Sequence, residues 1–137
     1  MNDNLTTDDL LAELVAREEA MASFAAYIEY VSGLKPPPHL KLICDKLDDV
    51  ANGKIQRLMI SMPPGHGKSF AASHYFPAYY LAKNPTKNVI FSTHKQELSD
   101  SFGLKVRNVI KGDEHRRLFP GVGISADKTA AGEWMTT

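Results

Sequence analysis

Apolar residues recur at helical spacing through the first third of the chain. A run of Thr and Asp at residues 6–9 is typical of a helix start, and one stripe follows it: Leu11, Leu14, Val15, Met21, Phe24, Ala25 and Ile28. We predict a single amphipathic helix that ends near Gly33, because the prolines at 36–38 cannot continue it and favour an extended connector. Residues 1–37 therefore form a helix with its connector, and residues 38–137 form the remaining unit.

A second helical stripe runs from about His39 to Asn52. Its apolar positions are Leu40, Ile43, Leu47 and Val50, and Asn52-Gly53 gives a stop signal. The run at 42–45 superficially resembles an apolar strand that ends in a metal-binding carboxylate. A helix is favoured, because the stripe continues through this run at helical spacing.

The rest of the chain alternates between apolar runs and helical patterns. Residues 56–62 and 88–93 read as buried strands, and a helix over 68–83 contains Pro77, which should kink or split it. Further predicted elements are a helix with Leu98, Phe102, Val106 and Ile110 on one face, a short helix at 113–118, a turn at 119–121, and weak strands near 122–125 and 133–136. This alternation predicts an α/β fold with a parallel sheet and flanking helices.

Composition narrows the class of protein only slightly. The 137 residues suit one domain or part of one, and 16 basic residues balance 16 acidic ones, so any contact with DNA would need a local patch. The single cysteine, Cys44, excludes an internal disulfide and fits a reducing cytoplasm. Residues 1–4 lack a basic region, and no apolar run approaches the ~20 residues of a membrane span. We expect a soluble chain without a signal peptide or membrane anchor.

The segment Met62–Ser69 carries the most specific chemistry. Gly65 and Gly67 have no Cβ and can take positive φ, which lets backbone N–H groups approach a phosphate. Lys68 would reach the β- and γ-phosphates, and the Ser69 hydroxyl would ligate Mg²⁺. His66 either hydrogen-bonds a phosphate oxygen or is merely solvated. The predicted cofactors are ATP and Mg²⁺.

The match to the phosphate-loop pattern is a variant. Met62 stands where G-x-x-x-x-G-K-[ST] has its first glycine, so the sequence pattern alone leaves a plain glycine turn as the alternative. The context favours nucleotide binding, because a predicted strand precedes the loop and a helix-compatible run follows it.

With these residues in place, the chain resembles the N-terminal ATPase part of a tailed-bacteriophage terminase large subunit. The resemblance rests on residues 53–60, 62–69, 76–81, 89–93 and 119–121. It implies an additional-strand, RecA-like P-loop fold and ATP hydrolysis that drives double-stranded DNA into procapsids. It also implies a ring of subunits at the portal, a small terminase subunit as partner, and the cytoplasm of an infected or lysogenic bacterial host.

The chain departs from this family in two respects. The loop has no arginine at 63–66, so a residue that senses the γ-phosphate must come from elsewhere, with Arg107, Arg116 and Arg117 as candidates. No apolar strand ending in Asp-Glu follows Ser69, so no catalytic residue is assigned. We therefore expect a truncated product that lacks this acidic strand and the nuclease domain and hydrolyses little ATP alone.

The resemblance also suggests roles outside the loop. Gln56 and His39 are candidates for adenine contacts, and Thr93 and His94 for coupling nucleotide state to DNA grip. The basic residues between 95 and 117 are candidates for contacts with DNA phosphates, but acidic residues are interleaved with them, so the pattern fits an ordinary helix surface equally well. Two other functions remain open, a non-catalytic interaction module derived from a terminase and another P-loop enzyme, such as a helicase-like ATPase or a small-molecule kinase.

Overall fold

Helices dominate the computed structural model, which describes residues 5–129 and 133–137. In chain order the described elements are α1 (Thr7–Ala22), α2 (Phe24–Ser32), α3 (Pro38–Ala51), a π-helix (Phe70–Tyr75), α4 (Phe76–Lys83), α5 (Gln96–Lys111), α6 (Asp113–Leu118), β1 (Ile124–Thr129) and β2 (Trp134–Thr136). The prediction that concerns residues 1–4 lies outside the described residues. No helix in the described ranges is long and apolar enough to cross a membrane.

The predicted single N-terminal helix is wrong, because the chain breaks at Ser23. Thr6 begins α1 with a capping box, in which its hydroxyl and the Asp9 carboxylate each accept the other residue's N–H. Ser23 is extended, at φ −135° and ψ 130°, and its Oγ accepts the Ala26 N–H at 3.5 Å. A new helix begins there because side-chain oxygens accept the N–H groups of its first turn, which have no carbonyl acceptor within the helix. The predicted end at Gly33 is confirmed, since its φ is 73°.

An aromatic cluster forms the centre of the core. Tyr27 and Phe24 of α2 each lie 5.2 Å, between ring centroids, from Tyr79 of α4, and all three side chains are fully buried. Ile110 of α5 and Cys44 of α3 are fully buried in the same core. Burial of these large side chains is the main force that holds α2, α3, α4 and α5 together.

The Asp48 carboxylate connects three helices at the edge of this core. Its two oxygens accept the backbone N–H of Phe24, at 3.1 and 3.0 Å, so an α3 side chain supplies an acceptor at the start of α2. The Tyr79 hydroxyl of α4 donates to the same carboxylate at 2.9 Å. Burial and the neighbouring Asp48 charge raise the pKa of Tyr79. A carboxylate at a helix N-terminus is also favoured by the helix dipole.

The helix after the predicted phosphate loop is divided as its proline suggests. Helical residues begin at Lys68, turn π-helical over Phe70–Tyr75 and continue as α4. The Phe76 N–H donates to the Ala71 carbonyl five residues earlier, the bond of a π turn. Because Pro77 has no N–H to donate to the preceding turn, the wide turn lies where a regular α-helix could not continue unchanged.

Most of the other predicted helices are confirmed. α3, α5 and α6 match the predicted ranges, and the run at 42–45 is helical. The predicted turn at 119–121 is closed by a bond of 3.1 Å from the Val122 N–H to the Phe119 carbonyl. β1 and β2 pair antiparallel with an irregularity between Ile124 and Thr129, close to the weak strands predicted there.

The predicted parallel sheet is not formed by the described residues. Residues 57–63 and 88–93 are neither helix nor strand, and Met59 and Ile90 are 93% and 90% exposed. The sheet of the described part consists of β1 and β2 alone. The runs are apolar as predicted, but a strand exists only when a neighbouring strand accepts hydrogen bonds from its N–H groups and donates hydrogen bonds to its C=O groups. No such neighbour lies beside either segment in the described part of the chain.

Replacing Asp48 by Ala should lower the free energy of unfolding by about 2–4 kcal/mol, because the Phe24 N–H and the Tyr79 hydroxyl lose a charged acceptor. Chemical denaturation monitored by circular dichroism measures this change. Asp45→Ala, at an exposed position of α3, is the matched control and should change stability little. An equal loss in the two variants would contradict the role given to Asp48.

His115 should make stability fall as the solution is acidified. The side chain is fully buried, its Nδ1 lies 2.7 Å from the Tyr27 hydroxyl, and its Nε2 has no hydrogen-bond partner among the described residues. Burial lowers the pKa of His115 from its usual 6.5 to about 4. Between these values the unfolded chain binds the proton and the folded chain does not. The stabilisation is therefore complete above about pH 6.5 and is lost as pH falls towards 4.

Denaturation curves at a series of pH values would measure this loss, expected to be roughly 1 to 3 kcal/mol across the window. Half-buried His74 also has a pKa lowered by burial, so it contributes a slope of the same sign. His115→Asn retains a polar atom near Tyr27 but removes the titrating ring, and it should flatten the slope. An unchanged slope in this variant would assign the effect to other groups.

Candidate phosphate-binding loop

The backbone of the loop turns at its two inner glycines. Gly65 has a φ of 80° and Gly67 a φ of 85°, the left-handed region that residues with a Cβ avoid. The first helical turn closes directly behind them, with a bond of 3.0 Å from the Ala71 N–H to the Gly67 carbonyl. The first N–H groups of such a turn have no acceptor inside the helix, so they face outward beside the loop.

Two histidines hydrogen-bond to carbonyl groups of this loop. The His66 ring turns back on its own segment, and its Nδ1 donates to the Pro64 carbonyl at 3.0 Å. His39, in the first turn of α3, donates from Nε2 to the His66 carbonyl at 3.1 Å. The two rings meet edge to face with centroids 6.0 Å apart. Both loop peptides that precede a glycine are thus fixed by an imidazole.

Leu40 supports the loop beside His39. The side chain is 4% exposed, and a Cβ built on Gly67 would lie 3.4 Å from Leu40 Cδ2. That distance is at the short end of ordinary van der Waals contact, so a Cβ at 67 would come up against the end of the Leu40 side chain. The start of α3 therefore forms a platform for the loop, with a hydrogen bond from His39 and with Leu40 beside Gly67.

Lys68 and Ser69 stand directly after this platform with their polar groups available. Lys68 is half-buried and Ser69 is exposed, and neither side chain forms a hydrogen bond or ion pair within residues 5–129 and 133–137. An ammonium, a hydroxyl and a set of outward N–H groups form a donor set suited to a phosphate chain, and the hydroxyl oxygen can also serve a hard cation. The residues present thus fit a phosphate group with Mg²⁺.

The other candidates from the sequence lie in different surroundings. Gln56 is exposed, as is His94. The Thr93 hydroxyl donates to the Lys95 carbonyl at 2.6 Å and lies 2.9 Å from Ser99 Oγ, so it orders the start of α5. This local bonding is the simpler explanation of a polar residue at that position.

The three arginine candidates lie on helices. Arg107 is half-buried on α5, which packs against the π-helix. Arg116 and Arg117 are exposed on α6, where Arg116 Nη1 lies 3.9 Å from the Asp113 carboxylate. Helix α6 packs against α1, α2 and α5. An arginine that senses the γ-phosphate therefore stays a prediction.

Sequence reasoning missed the contact between α3 and the loop. His39 and the carbonyl of His66 are 27 residues apart, and no local pattern connects them. The one available signal is a histidine in the first turn of a helix that begins at a proline, followed by a buried leucine. That signal shows where His39 sits on α3 but not what it contacts.

A groove of about 640 Å³ lies elsewhere on the surface. Its lining comes from residues 85–91, α5 and β2, together with Pro77 and Leu81 of α4, and includes no loop residue. Its wall is mixed in character, with Val89, Ile90 and Phe91 on one side and Trp134 on the other. The groove therefore runs beside one of the two predicted strands that lack a partner.

Gly67→Ala should destabilise the chain by about 1–2 kcal/mol, because alanine at a φ of 85° is strained. Thermal denaturation measures the effect. Gly121→Ala is the matched control, since a Cβ there meets nothing within 4 Å. If both variants melt like the wild type, the loop does not hold the described conformation.

The comparisons with known proteins bear directly on this loop. A family model described as "Terminase large subunit, T4likevirus-type, N-terminal" matches residues 59–121, slightly less than half of the chain. The match contains the whole loop, the π-helix, α4, α5 and α6. Neither the curated proteins nor the solved structures give a match. The resemblance inferred from the sequence is thus confirmed over these residues.

Proposed function

We propose, from the similarity of residues 59–121 to the N-terminal part of terminase large subunits, that this chain is the ATP-binding part of a DNA-packaging motor. In the intact motor, ATP hydrolysis would drive double-stranded viral DNA into a procapsid. Loop 62–69 would bind MgATP, with Gly65, His66, Gly67 and Lys68 around the phosphates and Ser69 on Mg²⁺. Bound MgATP would supply the chemical energy, while these residues hold and orient its phosphates.

One observation carries this proposal. Two glycines with left-handed φ lie directly before a helical turn whose first residues, Lys68 and Ser69, have no partner among the described residues. A glycine turn that merely joined two elements would not need an unpaired lysine in the first turn of the following helix. The family match covers the same residues and so supports the proposal.

The α/β P-loop sheet belongs to the same proposal. Met59 and Ile90 expose almost all of their side-chain surface in segments with strand-like sequence, which is unfavourable unless a neighbour covers them. The groove of about 640 Å³ beside residues 85–91 leaves room for an added strand. We propose that both segments become strands of a RecA-like parallel sheet when such neighbours are present.

The macromolecular partners follow from the terminase similarity alone. They are double-stranded DNA, the portal, the small terminase subunit and further copies of the large subunit in a ring. The protein would act in the cytoplasm of an infected or lysogenic bacterial host. The equal numbers of acidic and basic residues give no independent support to DNA binding.

A second candidate function is a non-catalytic interaction module derived from a terminase. The exposed apolar residues favour an interaction module. Besides Met59 and Ile90, four apolar residues of α1 are each more than half exposed: Leu10, Leu11, Leu14 and Val15. Such a module would dock onto a partner and would not need nucleotide. Nucleotide binding is therefore the property that separates the two functions.

Isothermal titration calorimetry of the 137-residue chain with Mg²⁺ and a non-hydrolysable ATP analogue tests the proposal. We expect saturable binding that Lys68→Ala weakens by at least about tenfold, because a charged hydrogen-bond donor to the phosphates is lost. Lys87→Ala is the control. This lysine is exposed and follows the end of α4, which is the end of the helical segment farther from Lys68.

Binding that is equally strong in both variants would remove Lys68 from the site. Absence of binding in a folded wild-type chain would refute the nucleotide-binding function and leave the interaction module as the better explanation.

A further inference from the structure

We propose that His39 is a positioning residue of the phosphate-binding loop, which aims the Gly67 N–H at the phosphate site. The inference rests on the proposed function of loop 62–69. It differs from the adenine contact that family resemblance suggests for His39, because it follows from the bond of 3.1 Å between His39 Nε2 and the His66 carbonyl.

The geometry of a peptide group links the His66 carbonyl to the Gly67 N–H. A trans peptide is planar, and its C=O and N–H point in opposite directions. The described chain contains no cis peptide bond. When His39 holds the carbonyl of His66, the N–H of Gly67 in the same peptide must point away from His39. One hydrogen bond on the α3 side therefore orients one donor on the opposite side of the loop.

The peptide between Pro64 and Gly65, two residues earlier in the loop, is oriented in the same way. His66 Nδ1 holds the Pro64 carbonyl at 3.0 Å, so the N–H of Gly65 points away from the His66 ring. Gly65 and Gly67 are the two loop residues with positive φ, and each has its preceding peptide plane fixed by an imidazole. Without these bonds, peptides next to glycine could rotate at little cost, and a donor that rotates loses binding free energy when a ligand must order it.

His39 suits this task because its own position is fixed. Pro37 and Pro38 begin α3 with restricted φ, which places His39 in the first helical turn. Leu40, the next residue, is almost fully buried, and its side chain lies where a Cβ on Gly67 would meet it. Asp48 ties the same helix to α2 and α4 two turns further along. The histidine, itself exposed, thus reaches the loop from a helix that is packed into the core.

Three substitutions separate a positioning role from other roles. His39→Phe keeps an aromatic ring against His66 but removes the N–H. His39→Gln keeps an N–H donor at a similar reach, since the amide Nε2 of glutamine stands the same number of bonds from Cβ as the Nε2 of histidine. Leu42→Ala, at an exposed position of α3, is the matched control. Thermal denaturation of each variant checks that the fold is retained.

The binding measurement uses calorimetry with Mg²⁺ and two ligands, a non-hydrolysable ATP analogue and inorganic tripolyphosphate. We expect His39→Phe to weaken both by the same factor, about three- to tenfold, since one exposed hydrogen bond orients the donor. His39→Gln should retain most of the affinity. Loss with the ATP analogue but not with tripolyphosphate would overturn the inference and assign His39 to the base. Unchanged affinity for both ligands would overturn it as well.

A measurement without nucleotide tests the hydrogen bond of His39 separately from the proposed nucleotide binding. The ¹⁵N–¹H resonance of Gly67 should shift in His39→Phe, because the hydrogen bond on the carbonyl of the same peptide is lost, whereas that of Gly121 should not. An unchanged Gly67 resonance would refute the hydrogen bond even if nucleotide binds. If the wild-type chain binds neither ligand, the proposed function and this inference fail together, whatever the resonance shows.

Discussion

The arrangement of the helices depends on the hydrogen bonds that the Asp48 carboxylate accepts. This carboxylate accepts the first N–H of α2 and the hydroxyl of Tyr79, while its own helix carries His39 and Leu40 to the loop. The aromatic packing around Phe24, Tyr27 and Tyr79 supplies most of the stabilisation, but apolar contacts alone do not fix which helix end meets which. A carboxylate with two directional partners does so. The loop platform is thereby built on a helix that Asp48 connects to α2 and α4.

Local sequence signals were sufficient for several elements that local interactions decide. The stripe of α3 and the glycine after α2 depend on spacing and on backbone freedom, and both were predicted correctly. The break at Ser23 was not, because part of it is created by Asp48, an acceptor 24 residues away from Phe24. Sequence patterns along α1 and α2 contain no trace of that partner.

The unpaired segments show a different limit. Residues around Met59 and Ile90 have the composition of buried strands, yet both side chains are exposed. Composition reports what a segment can do next to a neighbour, whereas strand structure requires the neighbour itself. For the site, the sequence predicted the glycine conformations and the residues that carry polar groups. The support from His39 and Leu40 depends on long-range packing, which no spacing rule reveals.

The π-helix between Ser69 and Phe76 sets the helical phase between the loop and the core. Each residue advances an α-helix by about 100°, so the extra residue of the π turn rotates Lys68 by about that angle relative to the buried face of α4. With a regular α-helix throughout, the same buried residues of α4 would place Lys68 and Ser69 on a different side of the helix axis. The side on which the ammonium and the hydroxyl lie is thus determined by the wide turn that follows them, between the loop and α4.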